Sequence, residues 1–117
     1  MTVQDADTID RITLSADEST CNLLMVEDRP FTGSSAQNDQ IMEKINTYLA
    51  FLQTGQLTQQ FPEMAGKRVT VRLVCHEEPS GEALLGLLKE ARKLFAKHGA
   101  DFSVEVIPRE MVQGGRP

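Results

Sequence analysis

The chain has 117 residues, carries 12 basic against 17 acidic side chains for a net charge of −5, and is 40% hydrophobic but only 5% aromatic. That length suits one domain that buries roughly two thirds of its unfolded surface, around a core of Leu, Val, Ile and Met. The acidic balance argues against duplex nucleic acid as a partner. The lack of a run of about 18 apolar residues, and of basic and apolar blocks at the start, argues against membrane insertion or export. A soluble cytosolic protein is expected.

In chain order, the first predicted strand is Ile9 to Leu14. A turn through Ser15, Ala16, Asp17, Glu18 and Ser19 leads to a second strand from Thr20 to Val26, a hairpin. Leu23, Leu24, Met25 and Val26 are consecutive, so that strand is central or covered on both sides. Pro30 and Gly33 break the extended pattern, and Ser34 or Ser35 caps the next helix. Its apolar stripe is Ile41, Ile45, Tyr48, Leu49 and Leu52, with Glu43, Lys44, Asn46 and Gln53 facing elsewhere and Gly55 ending it. An irregular connection, Gln56 to Lys67, carries Leu57, Phe61 and Met64 as plugs for the core.

The third strand, Arg68 to Cys75, alternates polar and apolar residues. Ser80 is placed to cap a second helix whose stripe is Leu84, Leu87, Leu88, Ala91, Leu94 and Phe95. Lys89, Arg92, Lys93 and Lys97 cover its other side, the later ones near the negative end of the helix dipole. After Gly99 a fourth strand puts Phe102, Val104 and Val106 on one face and Ser103 and Glu105 on the other. Pro108 removes a backbone donor and ends it, and residues 109–117 form a flexible C-terminal tail. Residues 1–108 make one domain of ββαβαβ order: an α+β, two-layer fold. Its four-stranded mixed sheet is predicted in the order 1-2-3-4, with two helices on one face. Cys21 and Cys75 fall in strands as reduced, buried thiols, able to pair only if they are neighbours in the sheet.

Thr8-Ile9-Asp10-Arg11-Ile12, the run Glu43 to Leu52 with Gly55, and the stretch from Lys67 through the second helix to Ile107 resemble a bacterial family of small proteins known only as a domain of unknown function. The resemblance covers about Asp5 to Ile107. It implies a bacterial cytosolic domain with the same element order, and it supplies no catalytic residue.

Two places remain for function. Ligands in open sheets bind beyond the carboxyl ends of parallel strands, where helix N-termini also point. The loops there hold Asp28, Arg29 and Ser34 on one side and His76 and Glu78 on the other. His76 with Glu78 and Asp28 could polarise a water or hold a divalent ion. Against this stand the lack of a second nearby His, of HExxH and of a Cys pair, while Ser34 after Gly33 lacks the Lys of a P-loop. No cofactor, resident metal or catalytic residue is assigned, and a small enzyme at this rim is the alternative reading. The leading one is a non-catalytic interaction module that uses the open sheet face. There Val74 and Ile107 share the parity of Arg72 and Glu105 and are joined by either Leu24 with Val26 or Leu23 with Met25. The expected partner is a second copy or another protein. Single-stranded RNA would need exposed aromatics for stacking, and the sheet offers none.

Overall fold

The computed structural model describes residues 2–4 and 8–108, so the tail expected over 109–117 lies outside the described residues. Its strands are β1 (Arg11–Leu14), β2 (Thr20–Val26), β3 (Arg68–Cys75) and β4 (Ala100–Val106). The helices are α1 (Ser35–Gln53), α2 (Gln56–Gln60) and α3 (Glu82–Lys97), with a 3-10 turn at Pro62–Met64. The strands form one open, mixed sheet in the order β1-β2-β3-β4. β1 runs antiparallel to β2, and β2, β3 and β4 are parallel. The expected fold and strand order are both observed.

The period-two pattern of the strands decides which side is covered, because successive side chains point to opposite faces. Cys21, Leu23, Met25, Val71, Leu73, Cys75 and Phe102 are buried, while Asn22, Leu24, Val26, Thr70, Arg72, Val74, Ser103 and Glu105 are only half-buried. The helices fill the first face. From α1 come Ile41, Ile45, Tyr48, Leu49 and Phe51, from α3 Leu84, Leu88, Ala91 and Phe95, and from α2 Leu57, all in one apolar cluster with Cys21, Leu23, Met25, Val71, Leu73 and Phe102. Phe95 stacks on Phe102 with ring centroids 5.5 Å apart. Of the two strand-two alternatives, Leu24 with Val26 is the pair on the open face.

Several local expectations are corrected. β1 starts at Arg11 instead of Ile9 because side chains replace the ladder just before it. The Asp10 N–H donates to the Tyr48 hydroxyl at 2.8 Å and the Val26 N–H donates to Asp10 Oδ2 at 2.8 Å. Residues 56–60 form α2 in the connection read as irregular. Gly55, at φ 76°, turns the chain after α1, and the new helical turn is anchored by buried Leu57, a single apolar contact with no period to read. Of the two serines offered as the cap of α1, Ser34 fills the role as expected, its Oγ accepting from the Gln37 N–H at 3.1 Å. Ser80 does not cap α3: Gly81 occupies that position, with no side-chain cap bond, and its carbonyl accepts the Leu85 N–H at 3.0 Å. Lys44, expected to face away from the apolar stripe, is fully buried.

Cys21 and Cys75 are free and buried. Cys21 is level with Val69 on β3, six residues before Cys75, so about 20 Å of strand separates the thiols and they are not neighbours. Burial pushes the Cys75 thiol from 9.0 up to about 11. The folded chain therefore keeps a proton that the unfolded chain releases, and stability falls as pH rises from about 9 through about 11. Urea midpoints measured across that window should decline in the wild type and decline less in Cys75→Ala. Equal slopes would remove the thiol from the explanation.

Candidate functional site

The rim at the carboxyl ends of β2 and β3 is built around Glu27. Its backbone N–H continues the parallel ladder by donating to the Val74 carbonyl at 2.9 Å, which draws its side chain inward until it is fully buried. A buried carboxylate requires a partner. Arg29 supplies a two-pronged one, with Nε to Oε1 at 2.9 Å and Nη2 to Oε2 at 2.8 Å, while Nη2 also donates to Gln40 Oε1 at 2.8 Å. The Glu27 hydrogen bond holds the guanidinium proton more firmly than usual. Gln37, also buried, fastens the same loop: its amide donates to the Pro30 carbonyl and its Oε1 accepts from the Thr32 N–H.

The residues singled out on this rim do not share one place. Arg29 and Ser34 line a depression of about 360 Å³ together with Gln37 and Gln40. Asp28 is exposed. The His76 ring lies toward β4, with Nδ1 2.8 Å from the Ile107 carbonyl, which fixes Nδ1 as the protonated nitrogen in the neutral ring. Glu78 lines a different groove, beside α3 and β4. The two loops do meet, but through Glu77, whose Oε1 accepts the Phe31 N–H at 2.8 Å. Among the described residues no group of three or more His, Cys, Asp or Glu is placed to hold a metal ion.

The open sheet face, in contrast, brings its four candidates together. Val74, Glu105 and Ile107 line one shallow concavity of about 470 Å³ with Asp10, Arg11, Leu24 and Val26. The register explains why: Val26, Val74 and Glu105 are level across three strands, and Arg11, Leu24, Arg72 and Ser103 form the next row across all four. Arg72 Nη1 lies 3.3 Å from Glu105 Oε1, with both side chains about two-fifths exposed. Such a pair contributes about 0.5 kcal/mol. On the same face Arg72 Nε and Asn22 Oδ1 are shielded from solvent yet hold no hydrogen bond, an uncommon state for native polar groups.

Sequence reasoning missed what supports this face from beneath. Asp10 and Lys44 form an ion pair at 2.7 Å with both side chains fully buried. Lys44 Nζ also donates to the Thr8 hydroxyl at 3.0 Å and to the Thr8 carbonyl, and it lies 5.9 Å from the centre of the Tyr48 ring. The Tyr48 hydroxyl accepts from the Asp10 N–H and donates to the Leu24 carbonyl, and burial raises its pKa well above the ordinary phenol. The network fixes Asp10, Leu24 and Val26, three of the concavity's lining residues. A signal for it was present, because Lys44 stands three residues after Ile41 and four before Tyr48, on the apolar stripe itself.

The profile described as "Family of unknown function (DUF6572)" matches residues 1–108. No curated protein and no solved structure matches the chain. No helix among the described residues is long and apolar enough to cross a membrane.

Proposed function

Because the chain belongs to DUF6572, a family of unknown function, we propose its role from surface geometry: it is a cytosolic, non-catalytic interaction module whose open sheet face docks a second copy of itself. The single observation that carries this reading is the concavity in which Leu24, Val26, Val74 and Ile107 are gathered on the one sheet face that no helix covers. Apolar groups clustered within a charged border mark contact surfaces more often than isolated exposed side chains do.

The charge layout favours a second copy as the occupant. Arg11 lies on the β1 flank and Asp101 and Glu105 on the β4 flank. A two-fold axis along the strands lays the β1 flank of each copy over the β4 flank of the other, so opposite charges meet twice, as a self-complementary interface requires.

Sedimentation equilibrium over a wide concentration range tests this. The wild type is expected to dimerise, and Val74→Asp, which places an unpaired charge in the middle of the contact, to stay monomeric with an unchanged circular dichroism spectrum. A wild type that remains monomeric at the highest concentration overturns the reading. So does a dimer that Val74→Asp leaves intact.

A further inference from the structure

The sheet has a second unused surface, the outer edge of β4. Exposed edges are normally guarded by short strands, bulges, Pro or charged side chains, because their unpaired backbone groups template pairing with another chain. β4 has seven residues, all in regular register with β3, and no Pro before Pro108. Its two charged side chains do not guard it: Asp101 is engaged by Arg68 and Glu105 by Arg72, both on the open face.

The phase of the ladder shows which groups are free. The Ile107 N–H donates to the Cys75 carbonyl at 2.7 Å, and the Cys75 thiol lies 3.7 Å from the Glu105 carbonyl, so Glu105 and Ile107 direct their backbone groups toward β3. Alternate residues of a strand turn to opposite sides, so Val104 and Val106 direct theirs outward. The Phe102 carbonyl also points out and accepts from Arg92 Nε at 3.5 Å, which leans over the edge from α3.

Alongside that edge, on the helix side, runs a groove of about 350 Å³ lined by Pro79, Leu85, Leu88, Val104, Lys89 and Arg92, with Glu78 as its one carboxylate. Leu85 is 52% exposed, the most exposed large apolar side chain among the described residues. We propose that the β4 edge with this groove takes up an extended, acidic segment of another protein as a fifth strand. Backbone bonds to Val104 and Val106 would supply the affinity, and side chains on alternate positions would supply the selectivity. A bulky aliphatic residue packs on Leu85, Leu88 and Val104, and carboxylates two positions to either side meet Lys89 and Arg92. A second copy is the poorer occupant here. Pairing β4 with its symmetry mate sets α3 against α3 and brings Lys89 and Arg92 of each copy against the same cations of the other. This site is separate from the open-face contact, and Val74→Asp should leave it unchanged.

The test uses a capped peptide as long as β4, seven residues, with threonine at its odd positions and glutamate, leucine and glutamate at its even ones. A second peptide with lysine for glutamate is the control. Binding to the full chain is read by fluorescence anisotropy and located by amide hydrogen exchange. The acidic peptide should bind in the sub-millimolar range and slow exchange at Val104 and Val106 while leaving Glu105, already in the ladder, unchanged. The double variant Lys89→Glu/Arg92→Glu, at two exposed positions, should lose about tenfold or more in affinity for it and gain affinity for the lysine peptide. Equal binding of both peptides overturns the proposal, as does unchanged exchange at Val104 and Val106 in the wild type. Slowing at those two amides with rising protein concentration alone would identify a second copy as the occupant and overturn it too.

Discussion

Replacing Lys44 with methionine should destabilise the fold by about 3–5 kcal/mol, the cost of leaving one member of a buried ion pair without its partner. Both side chains are fully buried, so neither water nor salt can compensate for the loss. Asp10 would retain the Val26 N–H at Oδ2, but its other oxygen would face a methyl group. The double variant Asp10→Asn/Lys44→Met should recover a large part of the loss, because a neutral amide at position 10 can still accept from Val26 and no uncompensated charge remains. Urea denaturation of the wild type, both single variants and the double variant forms a cycle that measures the coupling. Additive effects in that cycle would show that Asp10 and Lys44 act independently. A loss in Lys44→Met below about 1 kcal/mol would show that Asp10 does not depend on Lys44 for its compensation. The same variant should also weaken self-association, since the network fixes Asp10, Leu24 and Val26 beneath the concavity.

The network also marks the limit of what the sequence discloses. The strand periods, the two long amphipathic helices and the parallel crossovers were legible because each repeats one physical rule over many residues, and together they leave a single simple strand order. Arg72, Val74, Glu105 and Ile107 could be gathered by parity alone, and they do share a face. Features that depend on one contact could not be read this way. Residues 56–60 are helical because Leu57 finds the core. Phe51 is buried outside the stripe assigned to α1, beside a depression it shares with Gln56 and Gln60 of α2. Lys44 was assigned to solvent by its charge, although its spacing put it on the buried side. That conflict between chemistry and position is resolved only when Asp10, 34 residues earlier in the chain, is brought within reach. His76 shows the converse: adjacency suggested a grouping with Glu78 and Asp28, but the loop turns the ring to the Ile107 carbonyl and Glu78 toward α3.

Phe95→Ala should cost a comparable 3–5 kcal/mol, for a different reason. Phe95 is fully buried, and its ring lies within 9° of parallel to that of Phe102 at 5.5 Å, so truncation removes both the transferred apolar surface and the stacking partner of a strand residue. The neighbouring core is held by two layers and cannot collapse far into the space, which places the cost near the upper part of the usual range. The urea midpoint should fall with little change in slope, because the surface exposed on unfolding is nearly the same. Leu85→Ala on the same helix is the contrast. With half its surface already in water, it should change stability by less than about 0.5 kcal/mol while weakening the binding of an acidic strand at the β4 edge. Stability and edge binding are thus assigned to different residues of α3. A Phe95→Ala variant as stable as wild type would mean that the stack contributes nothing to holding α3 on β4. A Leu85→Ala variant that unfolds as easily as Phe95→Ala would mean that the exposed side chain belongs to the core instead of to a contact surface.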